Sequence, residues 1–490
     1  MDICRREFGL CALAGLAGRA FAQRPRPKLF ILVLLEQLRS DAVESLAPRF
    51  GPGGFRRLQE KGAWFPDCRH LASGFSATGI ATLATGAWPA EHGIVADSWY
   101  SRESRTAVHA SAQDLLATTL AAQIAGESRT RVFAISLDRP QAALFAGTPD
   151  ARLFWMDDAG AIASGPEAPD WLADYNRQAP IDNLHNARWM ALGARADAPP
   201  LRTLQFDPAK PGDFMALYKA SPWAPLAQLA FLAELVTRER LGQGDTFDFV
   251  CLMAGSSALL GYETGGRSPL MDQMTLQLDV PLAQLFSKLD TAPGASAYNL
   301  ALTAAHGAPP APAVASRARM AVRGEDIAHE VQRSLAGANS GTVEKFLYPF
   351  LYLDTASRDP ESVRLAAARA AMRQPAVSGY YTAGGACSTR DDWERRFRNS
   401  FHPARSGDVM LSYQPEYVED YGGGRGISYG SLYNYDACVP LFFYGPQFRA
   451  GVYESTVESV DVAPTLARVI GVAAPSSSTG RVLGRALGEV

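Results

Sequence analysis

Six short, uninterrupted apolar runs organise this chain, and each has the length of a strand and falls far short of a membrane span. Residues 28–35 (KLFILVLL) stop abruptly at Glu36-Gln37, and 130–136 (TRVFAIS), 247–253 (FDFVCLM), 299–303 (NLALT), 408–412 (DVMLS) and 439–444 (VPLFFY) repeat the pattern. A strand that is apolar on both faces belongs inside a parallel sheet covered on each side. Helical spacing fills the intervals: 53–61 sets Phe55 and Leu58 on one face, and 225–239 aligns Leu226, Leu229, Leu232 and Leu235. Strands alternating with helices predict an α/β fold, a doubly wound, mostly parallel sheet flanked by helices.

Ligands of such sheets collect beyond the carboxyl ends of the strands. The positions that follow the runs are Glu36, Ser76, Ala258, Ala305 with His306, and Tyr429. Two longer stretches, about 147–225 and 310–405, are richer in proline, alanine and charge and read as cap-like insertions over that edge of a single domain, 23–490. No internal repeat is found.

The first residues carry paired Arg5 and Arg6, then Phe8, a weakly apolar Ala/Gly/Leu stretch, basic Arg19 and Ala20-Phe21-Ala22 before Gln23. This is the pattern of a twin-arginine export signal, 1–22, which predicts a periplasmic or secreted mature protein. The competing reading, a short amphipathic helix of the fold, leaves the small-x-small cleavage site unexplained. No later apolar run reaches about 20 residues, so no membrane span is expected in the mature chain. Net charge is −3 and the pI near 6.2, with no basic stripe, which argues against nucleic acid as a partner. Cys68, Cys251, Cys387 and Cys438 remain after the signal; they lack Cys-x-x-Cys spacing, and one or two disulfides of unspecified pairing are compatible with export.

Seven segments in order resemble one family: LLEQLRSD (34–41), GPGGFRRLQEKGAWF (51–65), SATGIATLATGAWPAEHGIVADSWY (76–100), TAAHG (303–307), RSGDVML (405–411), YNYDACVPLFFYG (433–445) and VDVAPTLARVIG (460–471). Together they are similar to the type I phosphodiesterase/nucleotide pyrophosphatase family, and most to its bacterial phosphate-irrepressible alkaline phosphatase branch. The resemblance implies an alkaline-phosphatase-like fold, two zinc ions held by Asp and His, and a Thr or Ser nucleophile. Two metals serve such chemistry by activating the nucleophile and stabilising the leaving oxygen.

On this resemblance the zinc ligands are mostly replaced. Glu36 lengthens the first carboxylate by one methylene, and Ser76 stands at the nucleophile position. Ala258 and Tyr262 stand where Asp and His are implied, Ala305 precedes the retained His306, and Tyr429 and Cys438 stand for two further histidines. Asp97 takes the place of a phosphate-holding Asn, where a carboxylate repels a phosphate dianion. A phosphate-binding Lys-x-Arg pair falls near Asp138 and Pro140, with Arg139 out of step. Of seven histidines only His306 falls at a ligand position; His92 belongs to a turn.

Plainer roles compete at each position. Ser76 fits a helix N-cap, and His306 a strand-end histidine satisfied by hydrogen bonds. Glu36 would be costly if buried alone, so it pairs with Arg39 or another arginine, binds a cation or is protonated. Asp97 and Asp436 are weaker extra ligands, Asp436 being more simply a fold residue. Glycines 422–424 form a turn rather than a phosphate loop, and Asp461 caps the helix that follows it.

The leading expectation is an exported pseudoenzyme without a cofactor, binding an unidentified small molecule or protein at the former active-site edge. Replacing Asp and His by neutral residues relieves the repulsion that metal loss would otherwise leave. The alternative is an active phosphoester hydrolase with a rewired site holding one zinc, built on Glu36, Ser76 and His306. A third is another transfer reaction on the same fold.

Overall fold

The computed structural model describes residues 27–489 except 128, 179, 196, 312–319, 338–340, 356–358, 390–391 and 422–425. The export signal expected at 1–22 and the turn expected at 422–424 therefore lie outside the described residues.

Leu29–Leu35 is buried at every position, as its unbroken apolar sequence requires. It lies centrally in a ten-stranded sheet, parallel to Phe247–Ala254 on one side and Tyr298–Thr303 on the other. Outward on the first side come Thr130–Ser136 and Arg152–Met156, both parallel, and the antiparallel Ile162–Ser164. Outward on the other come Cys438–Tyr444 and Ala63–Arg69, paired antiparallel, with Gly451–Val452 and Val457–Glu458 at the far edge. Two groups of helices flank the sheet, each packed within itself. One contains Ser76–Thr85, Arg139–Ala146 and Val462–Ile470; the other contains Ser40–Leu46, Trp223–Arg238, Ser256–Thr264 and Pro269–Leu289.

Residues 408–412 depart from the expected arrangement. They form Val409–Tyr413, in a separate four-stranded antiparallel sheet with Thr342–Leu347, Phe350–Asp354 and Val377–Thr382. That strand is fully buried because this second sheet carries its own apolar core, in which Leu351, Leu353, Val409 and Leu411 pack together. The second helix begins at Phe55 rather than 53, where Asp279 accepts the Phe55 amide at 2.7 Å.

All four described cysteines are free. Cys68 and Cys438 lie on adjacent strands but one place out of register, Cys68 opposite Val439 and Cys438 opposite Arg69, so their side chains point to opposite faces. No helix among the described residues is long and apolar enough to cross a membrane.

Candidate functional site

Register assembles the site. Leu35 sits opposite Ala254 and Leu34 opposite Thr303, so Glu36 and His306 leave the sheet at one edge. Helix Ser76–Thr85 runs against the same edge, and its approach depends on Gly79, where a Cβ would overlap the Ala305 carbonyl. Glu36, 2% exposed, and His306, fully buried, form an ion pair with Nε2 3.4 Å from Oε1. Glu36 does not pair with Arg39, because that guanidinium is committed to Asp41 and the Gly266 carbonyl.

His306 Nδ1 donates to the Gly307 carbonyl at 2.7 Å, and Nε2 lies 3.2 Å from Ser76 Oγ. The Tyr429 ring stacks on the imidazole, centroids 4.4 Å apart at 19°. Its hydroxyl accepts from Ser76 Oγ at 3.3 Å and donates to Asp97 Oδ2 at 3.1 Å. Ser76 is not the N-cap: Phe75 holds that position, and no side chain of the cap residue bonds the helix amides. Instead Asp97 Oδ1 accepts the Ala77 N–H at 2.8 Å. A carboxylate thus sits on the helix N-terminus, a place that favours anions.

Burial lowers the pKa of His306, and the hydrogen bond and charge of Glu36, with Asp436, outweigh it, leaving the imidazole above its ordinary value. Burial lifts Asp436 to about 6; Oδ2 accepts from the Ser431 amide and hydroxyl, while Oδ1 has no partner. Asp97 is raised by burial and by Glu36, against the Ala77 amide. Tyr429 is raised well above the ordinary tyrosine value, first by burial and then by Asp97, so its phenol stays protonated.

Residues 30–422 match the family described as type I phosphodiesterase / nucleotide pyrophosphatase. This chain belongs to that family.

Within the type I phosphodiesterase family it is similar to the alkaline phosphatase PafA of Elizabethkingia meningoseptica, 24% identical, with 98% of each chain covered. The alkaline phosphatase PhoV of Synechococcus elongatus is also 24% identical, covering 94% of this chain and 92% of its own. Its fold superposes on the crystal structure of wild-type PafA with a TM-score of 0.81 at 23% identity, over 95% of this chain and 99% of that one. Murine ectonucleotide pyrophosphatase / phosphodiesterase 5 gives 0.57 at 14% identity, over 91% and 95%.

The donor set does not fit the two-zinc cage that the resemblance implies. Ala258 and Tyr262 lie one turn apart on helix Ser256–Thr264, and neither Ala258 nor Ala305 offers a donor atom. Cys438 faces Asp67, Sγ to Oδ1 3.5 Å, and burial pushes its thiol up to about 12. Among the described residues no three His, Cys, Asp or Glu side chains gather as metal ligands. Asp138 caps helix Arg139–Ala146 by accepting the Gln141 amide at 2.8 Å, and Arg139 lies 5.7 Å over the Trp155 ring. Asp461 stands at the cap position of Val462–Ile470 but does not cap it with its side chain, because its carboxylate accepts from the Glu458 and Arg481 amides instead.

Beside Tyr429 opens a cavity of about 160 Å3 walled by Phe75, Asp97, Tyr262, Tyr348, Tyr421 and Tyr429. Phe75, Tyr348 and Tyr421 escape the sequence reading. The available signal was the crowding of tyrosine at 413, 417, 421, 429, 433 and 435.

Proposed function

We propose that this protein is an exported member of the type I phosphodiesterase family that has given up two-zinc phosphoryl transfer and binds a ligand or partner at the old active-site edge. One observation carries this reading. The protonated Tyr429 hydroxyl bridges Ser76 and Asp97 while its ring covers His306, so a neutral group occupies the space among the groups that would have to share a dication. Zinc needs three or four close donors, and Glu36 with His306 supplies two. The paired Arg5 and Arg6 ahead of Ala20-Phe21-Ala22 support export.

A second reading, active hydrolysis by Ser76, draws on the 3.2 Å contact between its Oγ and His306 Nε2. With Nδ1–H held by Gly307, a neutral imidazole turns its lone pair toward the serine, the arrangement of an activated nucleophile. Two features oppose it. Glu36 favours the imidazolium, which has no lone pair to accept a proton, and Asp97 occupies the amide that would meet a developing oxyanion. The one-zinc version, built on Glu36, Ser76 and His306, has two of the carboxylate or imidazole donors that zinc sites use and only a hydroxyl for a third.

Purified mature protein assayed with p-nitrophenyl phosphate and bis-p-nitrophenyl phosphate, with added zinc and beside Ser76→Ala, decides between them. The proposal expects turnover equal to that of Ser76→Ala. Turnover abolished by that substitution overturns it in favour of the hydrolase.

A further inference from the structure

The cavity beside Tyr429 combines a chemistry that neither a phosphate site nor a plain apolar pocket has. Five of its walls are rings, Phe75, Tyr262, Tyr348, Tyr421 and Tyr429, and its one charged wall is the half-buried Asp97; no lysine, arginine or histidine lines it among the described residues. We infer that this cavity is a receptor for a small organic ammonium ion, held on the ring faces against the Asp97 carboxylate. The inference rests on reading the site as a binding site and names the class of its ligand.

Charge decides the sign of that ligand. A phosphate or carboxylate ligand would compete with Asp97 for the Ala77 amide, which Asp97 already holds at 2.8 Å, and would meet Glu36 behind it, whose Oε1 is buried without a hydrogen-bond partner among the described residues and pairs only with His306 Nε2 at 3.4 Å. A neutral ligand would strip water from Asp97 without compensation, which is costly. A metal cation would need several oxygen ligands at short range, and the walls supply one carboxylate. An alkylated ammonium ion needs ring faces and one counter-charge, and it gains more from the rings as water is excluded. The volume, about 160 Å3, matches that of a cavity large enough to admit benzene, about 150 Å3, and so suffices for a small alkylammonium head.

Three of the walls, Tyr262, Phe75 and Tyr348, are packed before any ligand arrives. Gly426 lies against the phenol end of Tyr262 and Gly430, at φ +105°, against the far edge of the Phe75 ring; a side chain at either would run into that end of the ring. Tyr348 packs on Tyr413 with centroids 4.7 Å apart. Preorganised walls lower the ordering cost of binding. Tyr262, Tyr429 and Asp97 are also three of the positions at which the chain departs from its family's implied pattern, so the substitutions that dismantle a zinc and phosphate site are those that build the cage.

Titration calorimetry of the mature protein with choline and with its uncharged isostere 3,3-dimethylbutan-1-ol tests the inference. Saturable one-to-one binding of choline is expected, with the neutral isostere weaker by about tenfold or more. Tyr262→Leu and Asp97→Asn, each checked for folding by circular dichroism, should weaken choline by about tenfold, and Tyr262→Phe, which keeps the ring, by less than about threefold. Absence of saturable choline binding, equal binding of the isostere, or equal losses in Tyr262→Phe and Tyr262→Leu each overturn it. The phosphoester assay is independent. No choline binding with no turnover removes the cage alone, whereas choline binding beside Ser76-dependent turnover upholds the cage and removes the non-catalytic reading.

Discussion

Asp436 is buried completely, and one of its oxygens has no donor. A carboxyl whose folded pKa is raised from 3.8 to about 6 binds its proton more tightly when folded. Its contribution is therefore fully present below 3.8 and is lost as pH rises through about 6. His306, raised from 6.5, acts in the same direction at higher pH: its contribution is present below 6.5 and is lost as pH climbs through the folded value. Asp436→Asn removes the first effect. Relative to the wild type, the variant should gain roughly 1–3 kcal/mol of stability at pH 7, with the difference vanishing toward pH 4. Urea unfolding across that range measures it, and a constant difference at all pH values would contradict the assignment. None of this was legible locally, since Ser431 is a near neighbour but His306 and Glu36 arrive from other strands.

At the level of elements, the central strands were readable because burial on both faces leaves no polar alternation to interpret. The same reasoning misassigned 408–412: an apolar run reports that a strand is buried, not which sheet buries it. Helix Ser76–Thr85 shows a similar limit. Serine before an apolar helix reads as a cap, but the true partners of Ser76 are 230 and 353 residues away, and the amide goes to a carboxylate that no local rule selects. The seating of this helix also depends on Gly79 lying against the Ala305 carbonyl. Gly79→Ala gains helix propensity but must push helix and strand apart, so it should destabilise by about 1–3 kcal/mol. A denaturation midpoint unchanged or raised would show that the contact is not tight.

For the molecule as a whole, a resident metal would appear as linkage, because a ligand that binds only the native state stabilises it by about 2.7 kcal/mol at a hundred times its Kd. We expect Tm to shift by less than about 1 °C on adding EDTA or zinc, with metal analysis by mass spectrometry finding less than stoichiometric zinc; a chelator-induced fall in Tm would refute this. The fold and the family were visible in the order of the motifs, whereas the gathering of Tyr262, Tyr348, Tyr421 and Tyr429 around one cavity was not, because isolated tyrosines carry no spacing signature. Tyr429 meets Ser76 across 353 residues and Asp97 across 332. Contacts so distant in sequence carry a loop-closure cost before they return anything, and the whole stretch from Ser76 to Tyr429 must exist before they can form. Until then a nascent chain has Ser76 and Asp97 without the hydroxyl that bridges them, so the Ser76–Tyr429–Asp97 bridge is a marker that synthesis has passed residue 429.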